Sequence, residues 1–233
     1  MPPATAPASP LPETERPPRT LSRDQRRLQL IEATITTIAA RGLARMTLTD
    51  VAREARISHG LVLFHFGSKE NLLAETLAFM AEEYRQNWHD ALAAAGADPA
   101  DQLMALIDAD FHPAITTTAR LAAWVAFWGE AQSRPIYQQQ CGDKDAAHTA
   151  VMERICAALI AQRGYPLDPV RAARILRLVI EGTWLDLMTD AKPYQIDEAR
   201  RTVLSAAALC FPGHFTAAGR TKAESDGNTV KRG

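Results

Sequence analysis

Apolar residues recur every three or four positions from residue 28 to residue 210, and no run between them alternates convincingly between apolar and polar. That spacing predicts helices packed on helices. Leu28, Ile31, Ile35 and Ile38 mark the inner face of a first helix, which Gly42 ends. In "TLTD", Thr47 is placed to cap a helix and Asp50 stands three residues on, a capping box built with Asp. The short helix behind it turns Val51, Ala52 and Ala55 inward, and Ser58 can cap a second short helix that ends near Phe64. Gly67 and Ser68 break the chain before a long helix that begins near Lys69, with Leu73, Leu77, Met80, Tyr84 and Trp88 on one face. Further helices are expected over residues 99–111, 114–133, 143–163, 169–190 and 197–210, Asp168-Pro169 being a strong start for the fourth. The expected architecture is all-α: an amino-terminal three-helix bundle joined by the long helix to a larger helical bundle.

The 233 residues, 47% hydrophobic, are enough for one or two domains with a sizeable core. Net charge is −1, but residues 1 to 72 hold ten Lys/Arg against seven Asp/Glu, so a mildly basic front sits on an acidic body. Cys141, Cys156 and Cys210 are odd in number and widely spaced, which speaks for a reducing compartment and against a disulfide framework or structural zinc. No apolar run approaches the ~20 residues of a membrane span. The start of the chain is proline-rich and lacks the apolar stretch of a secretory signal. We expect a soluble cytoplasmic protein with a disordered tail over 1–22, a helix-turn-helix domain over 23–70, a ligand-binding and dimerisation domain over 71–211 and a second tail over 212–233.

The segment "RISHGLVLFHFGSKENL", residues 56 to 72, crowds bulky apolar residues beside Ser58, His59, Gly60, His65 and Lys69. Two short helices braced by a first one match a helix-turn-helix, whose second helix lies in the major groove. Small or polar Ser58, His59 and Gly60 let that helix approach closely. Val62 and Phe66 face the bundle, and Leu61 and Leu63 point outward toward thymine methyls or sugars. His65 and Lys69 are placed to hold phosphates. Taken alone, such a helix pair also occurs in all-α proteins that never touch DNA.

"TLTDVAREARISHGLVLFHFGSKENLL" resembles the DNA-binding motif of the TetR family of bacterial repressors, with Thr47, Val51-Ala52, Ile57-Ser58, Gly60, Phe66 and Lys69-Glu70-Asn71-Leu72 in register. The resemblance implies double-stranded operator DNA as partner, with Thr47, Thr49, Ser58, His59, Leu61, Leu63, His65 and Lys69 facing it. Arg23, Arg26 and Arg27 are further phosphate candidates, or else a solvated basic face. Two positions depart from the family pattern. Arg56 stands where the turn glycine is usual, which demands a left-handed or altered turn, and Leu63 replaces a common tyrosine.

"WVAFWGEAQSRPIY" and "AARILRLVIEGTWLDLM" are similar to the choline-responsive BetI branch of that family. This implies an inducer such as choline or betaine aldehyde. A quaternary ammonium offers no conventional hydrogen bond and is held by aromatic faces and a carboxylate. Trp124, Phe127 and Trp128 on one helix and Glu181 and Trp184 on another are the candidate cage, with Asp108 and Asp110 as alternative counter-charges. Aromatics at such spacing also build ordinary cores. The last two helices are apolar enough to pair with their copies in a homodimer. A larger apolar drug or an acyl thioester is the alternative inducer. An all-α enzyme is the remote alternative, since no H-E-x-x-H, G-x-S-x-G or phosphate loop is present. No catalytic residue, metal site or cofactor is expected.

Overall fold

The computed structural model describes residues 21–130 and 135–221. In chain order the helices are α1 (Arg23–Arg41), α2 (Leu48–Glu54), α3 (His59–Phe66), α4 (Lys69–Ala94), α5 (Pro99–Asp110), α6 (Thr118–Glu130), α7 (Ile136–Arg163), α8 (Pro169–Thr189) and α9 (Ile196–Cys210). A two-stranded antiparallel hairpin, β1 (Phe215–Thr216) and β2 (Gly219–Arg220), follows, with Phe215 opposite Arg220.

Local chemistry starts the first helices. Gln25 N–H donates to Ser22 Oγ at 3.2 Å, and the Gln25 side chain answers from Ser22 N–H at 3.0 Å. The expected box at α2 is present: Asp50 N–H donates to Thr47 Oγ1 at 3.2 Å, and Thr47 N–H donates to Asp50 Oδ2 at 3.1 Å. Ser58 Oγ accepts from Leu61 N–H at 3.3 Å and opens α3. A cap of this kind contributes about 1 kcal/mol. The turn between α2 and α3 passes through Arg56 at φ 56°, the one non-glycine with positive φ among the described residues. The side chain therefore sits in the left-handed region that the missing glycine would have occupied freely, at a cost of about 1–2 kcal/mol.

Val51, Ala52, Ala55, Val62 and Phe66 are buried as expected, together with Ile31, Ile35 and Ile38. Leu28 is not: it is 45% exposed, and Leu30 takes its place in the core. The buried face of α1 is centred near Thr34, and Leu28 lies about 120° around the helix from it. The core runs without a break from α1 through Leu77, Leu103, Phe127, Ile155 and Leu176 to Phe215. The boundary expected at residue 70 falls in the first turn of α4, which passes straight through it.

Three other expectations need correction. The sixth helix starts at Thr118 and not at 114, because the His112 carbonyl accepts from Ile115 and Thr116 N–H at 2.9 and 3.1 Å and holds a tight turn. The seventh starts at Ile136 and not at 143: Pro135, at φ −65°, leads straight into helix, and Gly142 inside it follows buried Cys141. The tail expected from 212 holds the hairpin, whose Phe215 is buried against α9 and whose Arg220 pairs with Asp98 and Asp101. The rest of that tail, and the first tail up to residue 20, lie outside the described residues.

α1 packs along α6, and this contact carries a charged clamp. From α6, Arg120 donates to Glu83 of α4 at 2.7 Å and to Glu32 of α1 at 2.9 Å, with its side chain 15% exposed. No helix among the described residues is long and apolar enough to cross a membrane.

Candidate DNA-binding face and ligand cavity

The amino-terminal ends of α2 and α3 are both exposed. Thr47, Thr49, Ser58, His59 and Gly60 are all solvent-exposed, Leu61 is half-buried and Leu63 is 39% exposed. A Cβ at Gly60 would meet no atom within 4 Å, so packing inside the chain does not require the glycine. Sequence reasoning missed Phe64, which is 75% exposed. Its signal was available: four residues past Gly60, it shares that residue's helical face.

The two phosphate candidates at the end of α3 are differently placed. Lys69 Nζ donates to the carbonyls of Met46 at 2.6 Å and Ala44 at 3.4 Å, so it ties the loop before α2 to the start of α4. His65 is half-buried, and its Nδ1 has no partner among the described residues. Burial, then the charges of Arg27, Arg23 and Arg26, push its imidazole below the usual histidine range, so the ring is neutral at pH 7. Arg27 is occupied as well. It donates to the His65 carbonyl at 2.6 Å, pairs with Glu75 and lies 4.6 Å over the Phe66 ring, stapling α1 to α3 and α4. Arg26 donates to Gln29 at 2.7 Å. Arg23 is exposed at the start of α1.

In the larger bundle, α4 to α8 enclose a cavity of about 510 Å³, within the range usual for small-molecule sites. Trp124 and Trp128 reach it from α6 and Trp184 from α8. The Trp128 and Trp184 rings stack with planes 7° apart at 6.1 Å, and Trp124 lies 6.3 Å from Trp128. Tyr84 of α4 stands edge-on to Trp124 and Trp184, at 6.4 and 6.0 Å. Phe127 does not line this cavity. One position before Trp128 it turns about 100° around α6, into the core at 1% exposure.

Carboxylates face the rings. Glu181 lines the cavity and accepts from Arg177 of the same helix at 2.6 Å. Of the two aspartates weighed from sequence, Asp110 reaches the cavity, whereas Asp108 is paired with Arg200 at 2.6 Å outside it. Asp145 and Tyr137, both on α7, complete the wall: Trp128 Nε1 donates to Tyr137 Oη, which donates to Asp145 Oδ2, each at 3.1 Å. Tyr84, Tyr137, Asp145, His148 and Arg177 were not foreseen. Asp145 and His148 fall inside the helix expected from residue 143, and Tyr137, about two turns before Asp145, was hidden by starting that helix too late.

Burial, with Glu181 adding to it and the Tyr84 hydrogen bond opposing, raises the Asp110 carboxyl to about 7. Burial also raises Asp145. It pushes His148 down to about 4, with Arg177 contributing, so the cavity's histidine is uncharged. Burial thus raises two of the cavity's carboxyls, and the one arginine that lines the cavity is paired with Glu181.

An exposed helix-turn-helix on a helical body that holds a cavity of small-molecule size is the architecture of a one-component regulator, with one end for DNA and the other for a ligand. Residues 30–76 match the family described as bacterial regulatory proteins, tetR family, and residues 99–212 match the BetI-type transcriptional repressor carboxy-terminal domain. The HTH-type transcriptional regulator BetI of Paraburkholderia xenovorans is 32% identical over 197 residues, covering 79% of this chain and 93% of that protein. Among solved structures, a Pseudomonas aeruginosa chain superimposes with a TM-score of 0.70 at 23% identity, over 83% of this chain and 93% of the other. A Saccharomonospora viridis chain solved in complex with choline does so at 0.65 and 20% identity, over 77% and 94%. The chain belongs to the TetR family of bacterial regulators and has a BetI-type carboxy-terminal half. It is a DNA-binding transcriptional repressor and not an enzyme. Regulators of this family bind operator DNA, dimerise and bind small molecules.

Proposed function

We propose that this repressor controls choline uptake and glycine betaine synthesis genes, and that a quaternary ammonium such as choline or betaine aldehyde releases it from DNA. The observation that carries the reading is the cavity itself. Three tryptophans and Tyr84 supply π-systems for a cation, and Asp110, Asp145 and Glu181 line the same cavity with one arginine, Arg177, paired to Glu181. Each aromatic contact contributes about 0.5–2 kcal/mol to holding an alkylammonium. A large apolar drug gains nothing from the carboxylates, and an anionic acyl thioester is opposed by them.

The test is calorimetric titration with choline at two pH values. The ionised Asp110 favours the cation, so affinity rises as the carboxyl loses its proton, with a midpoint near 7. The groups around it are Tyr84 from α4, Asp145 and His148 from α7, and Arg177 and Glu181 from α8. Asp145 reinforces the trend, and His148, already neutral, contributes nothing to it. Binding is expected to be about tenfold weaker at pH 6 than at pH 8. A pH-independent affinity would remove Asp110 from the site, and no heat of binding would remove the quaternary ammonium.

On DNA, Ser58, His59 and Gly60 approach the base edges, with Thr47 and Thr49 at the flanking backbone. Leu61, Leu63 and Phe64 give apolar contacts to thymine methyls and sugars. His65 contributes a neutral N–H, and Lys69 acts mainly by fixing the loop before α2.

Two copies pair through α8 and α9. Val170, Ile175, Leu178 and Leu185 of α8 are 38%, 44%, 53% and 46% exposed and Leu209 of α9 is 85% exposed, an apolar face left open among the described residues. The pairing places two recognition helices on successive turns of a pseudo-palindromic operator.

The signal has a short path. Trp124 and Trp128 share α6 with Arg120, which clamps α1 and α4 through Glu32 and Glu83. A ligand that shifts α6 tilts α4 and changes the spacing of the recognition helices, provided it prefers the non-binding state. In Arg120→Met, choline should bind within about threefold of wild type while its effect on operator affinity shrinks about tenfold, a coupling of ordinary size. Unchanged release from DNA would place the coupling elsewhere.

A further inference from the structure

Arg56 holds a strained backbone conformation, and its exposed side chain makes no hydrogen bond or ion pair among the described residues. The turn around it is fixed. Arg56 N–H donates to the Arg53 carbonyl at 3.1 Å, Ile57 N–H to the Ala52 carbonyl at 2.9 Å, and Gln29 Nε2 to the Ala55 carbonyl at 3.0 Å. A residue at position 56 is thereby held in the left-handed region, at φ 56°, which glycine adopts freely and arginine does not. Strained side chains persist where the surrounding structure over-determines them, and they gather at functional sites.

The basic neighbours of Arg56 are engaged. Arg41 and Arg53 pair with Asp50 at 3.4 and 3.2 Å, and Arg45 donates to the Arg41 carbonyl at 3.1 Å. Arg26, Arg27 and Lys69 donate to oxygens of Gln29, His65 and Met46. Between residues 21 and 72, only Arg23 and Arg56 have side chains that donate to no oxygen of the described residues. Arg23 stands at the start of α1. Arg56 stands two residues before Ser58, the cap of α3, and Cα atoms so spaced lie within about 7 Å of each other. An arginine side chain spans a comparable length, so this guanidinium is tethered at the entrance of the recognition helix.

Resting on the reading of α2 and α3 as the DNA-binding face, we propose that Arg56 holds an operator phosphate beside the start of α3. A planar guanidinium meets a phosphate with two parallel N–H donors. Such a contact carries no sequence information; it fixes the register at which Ser58, His59 and Gly60 enter the groove. Glycine at this turn relieves the backbone and cannot make the contact.

Fluorescence anisotropy of the full chain over a range of salt tests this, on the DNA immediately upstream of its own gene and on an unrelated duplex of equal length. Arg56→Gly should weaken binding to both duplexes by a similar factor, at least about tenfold. The slope of log affinity against log salt should become shallower by about 0.9 for each chain bound. Arg56→Lys keeps the charge and should keep the wild-type slope. Arg56→Gly should also melt no lower than wild type, because glycine relieves the turn. A steep wild-type slope left unchanged in Arg56→Gly overturns the phosphate contact and leaves the DNA-binding face standing. Weakening on the upstream DNA alone overturns it as well, since Arg56 would then read bases. A lower melting temperature accompanying the lost affinity overturns it too, since Arg56 would then serve the fold. Wild-type binding that ignores salt overturns both the contact and the reading of α2 and α3.

Discussion

Replacing Trp124 and Trp128 together by leucine is expected to weaken choline binding by about 100-fold, the equivalent of two cation–π contacts of ordinary strength. DNA binding in the absence of ligand should persist, because both rings line the cavity of the larger bundle. The substitution is not free of structural cost: Trp124 is 7% exposed and packs in the core, so a lower melting temperature accompanies the loss of affinity. Trp128→Leu alone separates the two effects, since that side chain is only half-buried. It should lose about tenfold in choline affinity with a small change in stability. Wild-type choline affinity in the double variant would show that the aromatic cluster serves packing alone.

Leu178→Glu is expected to turn the dimer into a monomer. In a single chain Leu178 is 53% exposed, so the folded monomer tolerates a carboxylate there within about 0.5 kcal/mol. Across a two-fold axis the same change buries two like charges in an apolar interface, which association cannot bear. One recognition helix per particle then forfeits bivalent binding, and operator affinity should fall about 100-fold or more. Sedimentation and DNA binding measured on the same sample check both halves. A variant that still sediments as a dimer would move the interface away from the α8 face.

The helix-turn-helix was legible because its determinants are local. Thr47 with Asp50, and Ser58 with the N–H of Leu61, are hydrogen bonds closed within three residues, and Val51, Val62 and Phe66 follow helical phase. The departure at Arg56 left a left-handed or an altered turn open, and the chain takes the left-handed one at φ 56°. The cavity was legible only in part. Trp124, Trp128, Trp184 and Glu181 came from a resemblance, and helical spacing makes them neighbours. Tyr84, Asp110 and His148 meet them only because α4, α5 and α7 pack against α6 and α8, and no periodicity in one segment encodes that meeting. Phe127 shows the opposite error: adjacency in sequence is not adjacency in space, and a step of about 100° per residue sends it to the core. Lys69 and Arg27 show what a sequence leaves out for a third reason. A long cationic side chain on a basic face looks ready for phosphate, and both also donate to carbonyls of this chain, which only the packing reveals.

The central claim is that one chain binds operator DNA and is released from it by a quaternary ammonium. Fluorescence anisotropy of the DNA immediately upstream of its own gene, with salt and choline varied at pH 8, tests it most directly. The account predicts tight binding that weakens steeply as salt rises, the mark of phosphate contacts, and that weakens further when choline is added at fixed salt. Salt-sensitive binding that choline leaves unchanged would contradict the claim.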